Sequence, residues 1–215
     1  MADVRTLVDD IYTTVKNGVD VQPELLGKFS SQLADVMKDR LDPSKKREAY
    51  LRISNLGQPC DRKLWYQLKH PSLGEELRPE TLLKFLIGDM WEVILLFLAE
   101  ASGHEVTGTQ DTIDLHGVKG HRDAVIDGTI TDVKSASSRS FVKFEEGLTS
   151  DKDSFGYLTQ LDAYLDAGQT DELVTNKDFA VFLAGDKTLG KLALDIQPRK
   201  GIDYEELVSA KYALS

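Results

Sequence analysis

GHRDAVIDGTITDVKSAS, residues 120–137, alternates like a β-ribbon yet places Asp123, Asp127, Asp132 and Lys134 within twelve residues. Charges at that density either decorate a solvated face or build a metal site. Asp127-Gly128 is a strong hairpin signal, since both residue types tolerate the left-handed backbone of a two-residue turn. In a strand, side chains two apart share a face. Asp132 and Lys134 therefore project together, and Val133 turns the other way, toward a core. A hairpin closed at Asp127-Gly128 brings Asp123 back beside Asp132. Two carboxylates that close repel, and each resists ionisation unless a cation lies between them. A hard divalent ion, Mg2+ or Mn2+, resolves the conflict through oxygen ligands. A lysine beside such an ion can orient and deprotonate a water, or offset charge growing on a phosphate.

Around this hairpin, turn signals at His116-Gly117 and Asp127-Gly128 predict short strands over residues 104–109, 111–115, 118–126 and 129–134. Residues 79–102 predict a long helix, opened by Pro79 and closed by Gly103. At the start of the chain, Val4, Leu7, Ile11 and Val15 recur at helical spacing, as do Leu25, Phe29, Leu33 and Met37. Two amphipathic helices follow from this, with Pro23 in a first turn. The polar run DPSKKRE, residues 42–48, is the best boundary. It separates a helical annex over residues 1–45 from a main unit over 46–215, the two forming one compact body. Downstream, helices are expected over 138–146, 155–167 and 204–212, and paired strands over 179–184 and 191–196. This order predicts an α/β (α+β-like) fold with a mixed central β-sheet flanked by helices.

Composition narrows the function classes. With 215 residues and 41% hydrophobic content, the chain can bury a substantial core. Its longest apolar run, residues 93–99, is too short to span a bilayer, so no membrane partner is expected. The first eighteen residues show no basic-then-apolar leader pattern, and the single cysteine, Cys60, allows no intramolecular disulfide. Both features suit a reducing cytoplasm. The net charge of −10 argues against a nucleic-acid partner only in sum. Residues 38–69 hold nine Lys/Arg against four Asp/Glu, whereas residues 145–215 hold seven against fourteen. Fields act locally at physiological salt, so an acidic chain can still present one basic face to phosphates.

Two further segments bear on the acidic hairpin. Glu92 lies in the apolar run GDMWEVILLFLAE, four residues after Gly88, and an acid there is costly to bury without a cation or donor. Gln160 and Tyr164 are also four apart and share a face of FGYLTQLDAYLDA, where an amide and a phenol can hydrogen-bond a phosphate or a catalytic side chain.

In order, GxxxE on a helix, GHxDxxxDG, DVKS and QxxxY in the next long helix resemble the signature of RecB-like PD-(D/E)XK nucleases. That superfamily includes phage lambda-type exonucleases and CRISPR-associated RecB-like exonucleases. SNLGQPCDRKLWY resembles its upstream C-x-R-K-x-x-Y element, so the resemblance runs from about Ser54 to Ala167. It implies a restriction-endonuclease-like core and hydrolysis of DNA phosphodiesters from ends. Glu92, Asp123, Asp132 and the Val133 carbonyl would hold one or two Mg2+ or Mn2+ ions, with Lys134 positioning the attacking water. Gln160 and Tyr164 would steady the DNA or the lysine, and Arg62, with Lys63, would contact a phosphate. Ser135 is a further phosphate-binding candidate. His121 would touch metal or substrate, or serve as a structural hydrogen-bonding group. The resemblance also implies a phage or mobile-element setting and leaves room for a ring-like homo-oligomer. A structure-dependent endonuclease and a catalytically silent DNA-end-binding or recombination-adaptor protein are the alternatives. Some relatives hold an iron–sulfur cluster through four cysteines; with Cys60 alone, none is expected here, and Cys60 is expected as a small buried side chain.

GDKTLGKL, residues 185–192, imitates a phosphate-binding loop, but Leu192 replaces the magnesium-binding hydroxyl and the flanks predict a hairpin. Trp65 and Tyr66 either pack on the core or stack on a splayed base.

Overall fold

The computed structural model describes residues 2–44 and 49–214. The expected boundary between residues 45 and 46 lies outside them. Eight α-helices and seven strands occur among the described residues. The two opening helices are α1 (Leu7–Asn17) and α2 (Pro23–Leu41), and Pro23 takes the first helical position. Short α3 (Ile53–Leu56) and α4 (Asp61–Lys69) precede the long α5 (Pro79–Ala101). Gly103 follows α5 with a φ of 92°, a conformation that favours glycine.

The central sheet has the order β1-β4-β5-β6-β7, from Val106–Thr107, Ala124–Ile126, Thr129–Ala136, Phe179–Asp186 and Leu192–Pro198. β5 and β6 run parallel and the other neighbours antiparallel, so the sheet is mixed as expected. The crossover between the parallel strands carries α6 (Ser138–Glu145) and α7 (Tyr157–Ala167). α8 (Tyr204–Tyr212) closes the described chain.

One expected strand proves to be two. Residues 118–126 divide into β3 (Val118–His121), which pairs with β2 (Thr112–Leu115) as a separate ribbon, and β4, which joins the main sheet. The break falls at Arg122 and Asp123. Arg122 is 1% exposed and sends its guanidinium to the Gly108 carbonyl, Asp111 and Asp171. A buried charge needs several acceptors, and reaching them takes residue 122 out of both ladders. Both two-residue turns behave as the dipeptides predict, with φ of 51° and 86° at His116-Gly117 and 49° and 74° at Asp127-Gly128. Residues 185–192 likewise form the end of the β6–β7 hairpin, Gly185 pairing with Leu192 and residues 187–191 making the turn, with no helix after the strand.

Each face of the sheet has its own core. Phe141, Phe144, Leu158, Leu161, Ala180 and Phe182 belong to one, on the side of α6 and α7. The other joins Val133, Val181 and Leu183 to Leu95, Leu96 and Ala99 of α5 and to Val4, Leu7 and Ile11. The first helix thus shares a core with the sheet. α2 buries no residue fully; Phe29 packs on Phe97 of α5 with ring centroids 4.5 Å apart.

Candidate functional site

β5 carries the centre of the site. Its alternation sends Val133 into the α5-side core and Asp132 and Lys134 to the α7 side, as the strand period requires. Asp132 is 2% exposed, and one of its oxygens, Oδ2, is paired with the Lys134 ammonium. Gln160 Nε2, from α7, approaches its Oδ1 at 3.4 Å. The Lys134 ammonium also lies 4.5 Å from the centre of the Tyr157 ring, at the first turn of α7.

Asp123 sits one residue beyond the β4–β5 ladder, whose last pair is Ala124↔Thr131, and so faces Asp132. Its Oδ2 accepts a hydrogen bond from the Val133 N–H at 2.7 Å. Tyr164 OH donates to the His121 carbonyl at 2.7 Å, holding the chain just before Asp123. At 3% exposure, Tyr164 steadies backbone and presents no free surface to a strand of DNA. His121 points its ring outward on β3, 3.4 Å from Thr112 Oγ1.

Glu92 reaches the cluster from α5. The helix lies close on the sheet because a Cβ at Gly88 would come within 3.2 Å of Ser135 Oγ, and one at Gly185 would collide with the Trp91 indole. Ser135 is therefore in the wall between α5 and β5. Glu92 Oε1 accepts from Gln110 Nε2 at 2.6 Å. A cleft of about 1130 Å3 opens here between α2 and α5, with Asp89, Glu92, Gln110 and Asp123 among its lining residues. Arg40 of α2 binds Asp89 with both arms of its guanidinium and spans this cleft.

The electrostatics follow from burying three acids and one base together. Burial raises the Glu92 carboxyl to about 7, with Asp132 and Asp89 adding to the shift while Gln110 and Lys134 oppose it. Burial also pushes Asp123 well above the usual carboxylate range, reinforced by Asp132 and Glu92. For Lys134, burial acts downward, but Asp132 and Asp123 overcome it and hold the ammonium above its ordinary value. Fully ionised, the three acids would hold more negative charge than the one lysine can balance, so Glu92 and Asp123 retain protons more tightly than free carboxylates.

No group of three His, Cys, Asp or Glu stands in cation-binding geometry among the described residues. Each carboxylate is held by an internal partner: Asp132 by Lys134, Asp123 by the Val133 N–H, Glu92 by Gln110. In donor chemistry the set fits a hard divalent ion, because Glu92, Asp123 and Asp132 offer only oxygen and neighbouring acids make Glu92 and Asp123 harder to ionise.

Two expected residues stand apart. Arg62 and Lys63 are exposed on α4, and among the described residues neither bonds to the carboxylates. Arg62 lies 5.9 Å from the centre of the Tyr66 ring, and beside it Trp65 meets Tyr66 and His70 edge to face. α3, which leads into α4, packs on the start of α7, where Gly57 and Gly156 meet backbone to backbone with no room for a Cβ at either. Cys60 corrects an expectation: it is exposed at the N-cap of α4, whose only buried side chain is Leu64. Asp127 is also no part of the cluster. It pairs with buried His104 Nδ1 at 2.6 Å and accepts the Glu105 N–H.

No family model matches the chain, and no curated protein does. Among solved structures it is similar to the one titled "Crystal structure of SSO0001", at 16% identity and a TM-score of 0.49, covering 86% of each chain. No helix among the described residues is long and apolar enough to cross a membrane.

Gln110 and Arg122 were not legible as site residues. Gln110 lies in a loop without periodicity, and Arg122 occupies an unspecified position of GHxD.

Proposed function

We propose that this protein is a metal-dependent deoxyribonuclease that hydrolyses phosphodiesters from DNA ends, in keeping with the RecB-like PD-(D/E)XK resemblance. The observation that carries this reading is the apposition of Asp123 and Asp132 across the β4–β5 pair, with Lys134 bound to Asp132 and Glu92 facing both. Glu92, Asp123, Asp132 and the Val133 carbonyl would hold Mg2+ or Mn2+. The ion would supply charge neutralisation and activation of the attacking water. Lys134 is held charged by its neighbours and, with Tyr157 fixing its ammonium, would orient that water and meet charge growing on the phosphate. Gln160 limits the movement of Asp132, and Arg62, Lys63 and Ser135 are the candidate phosphate contacts.

The catalytically silent DNA-end-binding reading is the second, favoured by the internal partner that each carboxylate has. Incubation with Mg2+ or Mn2+ and end-labelled linear DNA, beside a closed circle and an Asp132→Ala variant, separates the readings. Shortening of linear DNA only, lost in the variant, supports the exonuclease. Cutting of the circle points to a structure-dependent endonuclease, and binding without cleavage to the silent protein.

A further inference from the structure

Gln110 touches both acid-bearing elements of the site. Its backbone N–H donates to the Asp123 carbonyl at 3.2 Å, and its side chain donates to Glu92 Oε1 at 2.6 Å. It does so from a φ of 57°, a left-handed conformation that is unfavourable for a non-glycine residue. The surrounding loop sustains this conformation. Arg122 Nε donates to the Gly108 carbonyl at 3.2 Å, its Nη2 reaches Asp111 at 2.8 Å, and its N–H meets the Asp111 carbonyl. Gly108 also has a φ of 57°, and a Cβ there would collide with the guanidinium. The buried arginine thus clamps residues 108–111 in the one shape that aims Gln110 at Glu92.

A carboxamide can fill one lone pair of a carboxylate but cannot offset its charge. Ionising Glu92 beside Asp123 and Asp132 therefore stays costly while Gln110 is bound, and a cation removes that cost where the amide does not. We propose that Gln110 is a guard on the carboxylate site: it holds Glu92 away from ligation, and a divalent cation must displace it to bind. This rests on the metal-dependent reading above and adds to it a built-in threshold for loading.

The test is calorimetric titration of chelator-stripped protein with Mn2+, without DNA. Gln110→Ala, and Gln110→Asn with its shorter reach, should each bind Mn2+ about tenfold tighter than the parent, the equivalent of about 1.4 kcal/mol. Glu92→Gln should bind it more weakly. Damage to the loop would weaken binding, so a gain is not a result that mere structural disturbance produces. Melting in chelator shows which variants are folded, and Gln110→Asn serves if Gln110→Ala is not. Unchanged or weaker binding in the folded variant overturns the guard while leaving the cation site standing. A Glu92→Gln variant that binds Mn2+ equally well overturns the guard, since Glu92 is then no ligand, and a parent protein that binds none overturns the cation site and the guard together.

Discussion

The Lys134 ammonium lies 4.5 Å from the centre of the Tyr157 ring while paired with Asp132. A lysine held between a carboxylate and an aromatic face has little freedom to swing. Its direction is therefore set by α7 as well as by its own strand. A cation over a phenol ring gains roughly 0.5–2 kcal/mol, more when desolvated. Tyr157→Phe keeps the face and should leave cleavage within about twofold, whereas Tyr157→Ala should slow it about tenfold. Single-turnover rates on an end-labelled strand, with melting as the control for folding, measure both.

Removing Lys134 alone has a cost in stability as well as in activity. Lys134→Met leaves Asp132, 2% exposed, with its charge uncompensated. A broken buried pair of this kind costs about 3–5 kcal/mol. Adding Asp132→Asn removes the stranded charge, so the double variant should recover at least about half of that loss and remain inactive. Urea denaturation of the two singles and the double closes the cycle.

Glu92 makes the metal-free protein pH-sensitive. Burial raises its folded-state pKa to about 7 from an ordinary value of 4.5, so the folded protein holds the proton more tightly than the unfolded chain. The penalty for ionising it is absent below about pH 4.5, grows through the interval and is complete above about pH 7, on the order of 3 kcal/mol. Stability in chelator should fall across that window as pH rises. Glu92→Gln should flatten this part of the profile and, at pH 8, melt higher than the parent. A profile identical to the parent's would show that Glu92 is not the group responsible.

Arg122 should matter to cleavage without touching substrate. Its substitution by Met removes the clamp on Gly108 and Asp111 and frees the turn that places Asp123. Asp111 and Asp171 are partly solvated, so the stability loss should be about 2–3 kcal/mol. Cleavage measured well below the melting temperature should fall further than the lost folded fraction explains. A proportional fall would make Arg122 a purely structural residue.

Much of the site was legible in local pattern. The period of two placed Val133 in a core with Asp132 and Lys134 on the other face, and Asp127-Gly128 closed the hairpin that sets Asp123 opposite Asp132. The same local rules failed at residues 118–126, where the alternation continues through Arg122 but the strand does not. A buried guanidinium seeking three acceptors outweighed strand continuity, and all three, Gly108, Asp111 and Asp171, lie 11 or more positions away in sequence.

By itself, the sequence determined most of the element order, both two-residue turns, the mixed α/β class and the face of each residue on β5, because these depend on neighbours within a few positions. Only the tertiary structure decided which partners those side chains meet. It brought Glu92 of α5 to the hairpin, gave Gln110 to Glu92, buried the Tyr164 hydroxyl on the His121 carbonyl, and sent Asp127 to His104 instead of to the acidic cluster. Such pairings depend on how separate elements cross, and close approaches at Gly88 on Ser135 and Gly185 on Trp91 fix that crossing. No periodicity along the chain encodes them, since each is a contact between residues tens of positions apart.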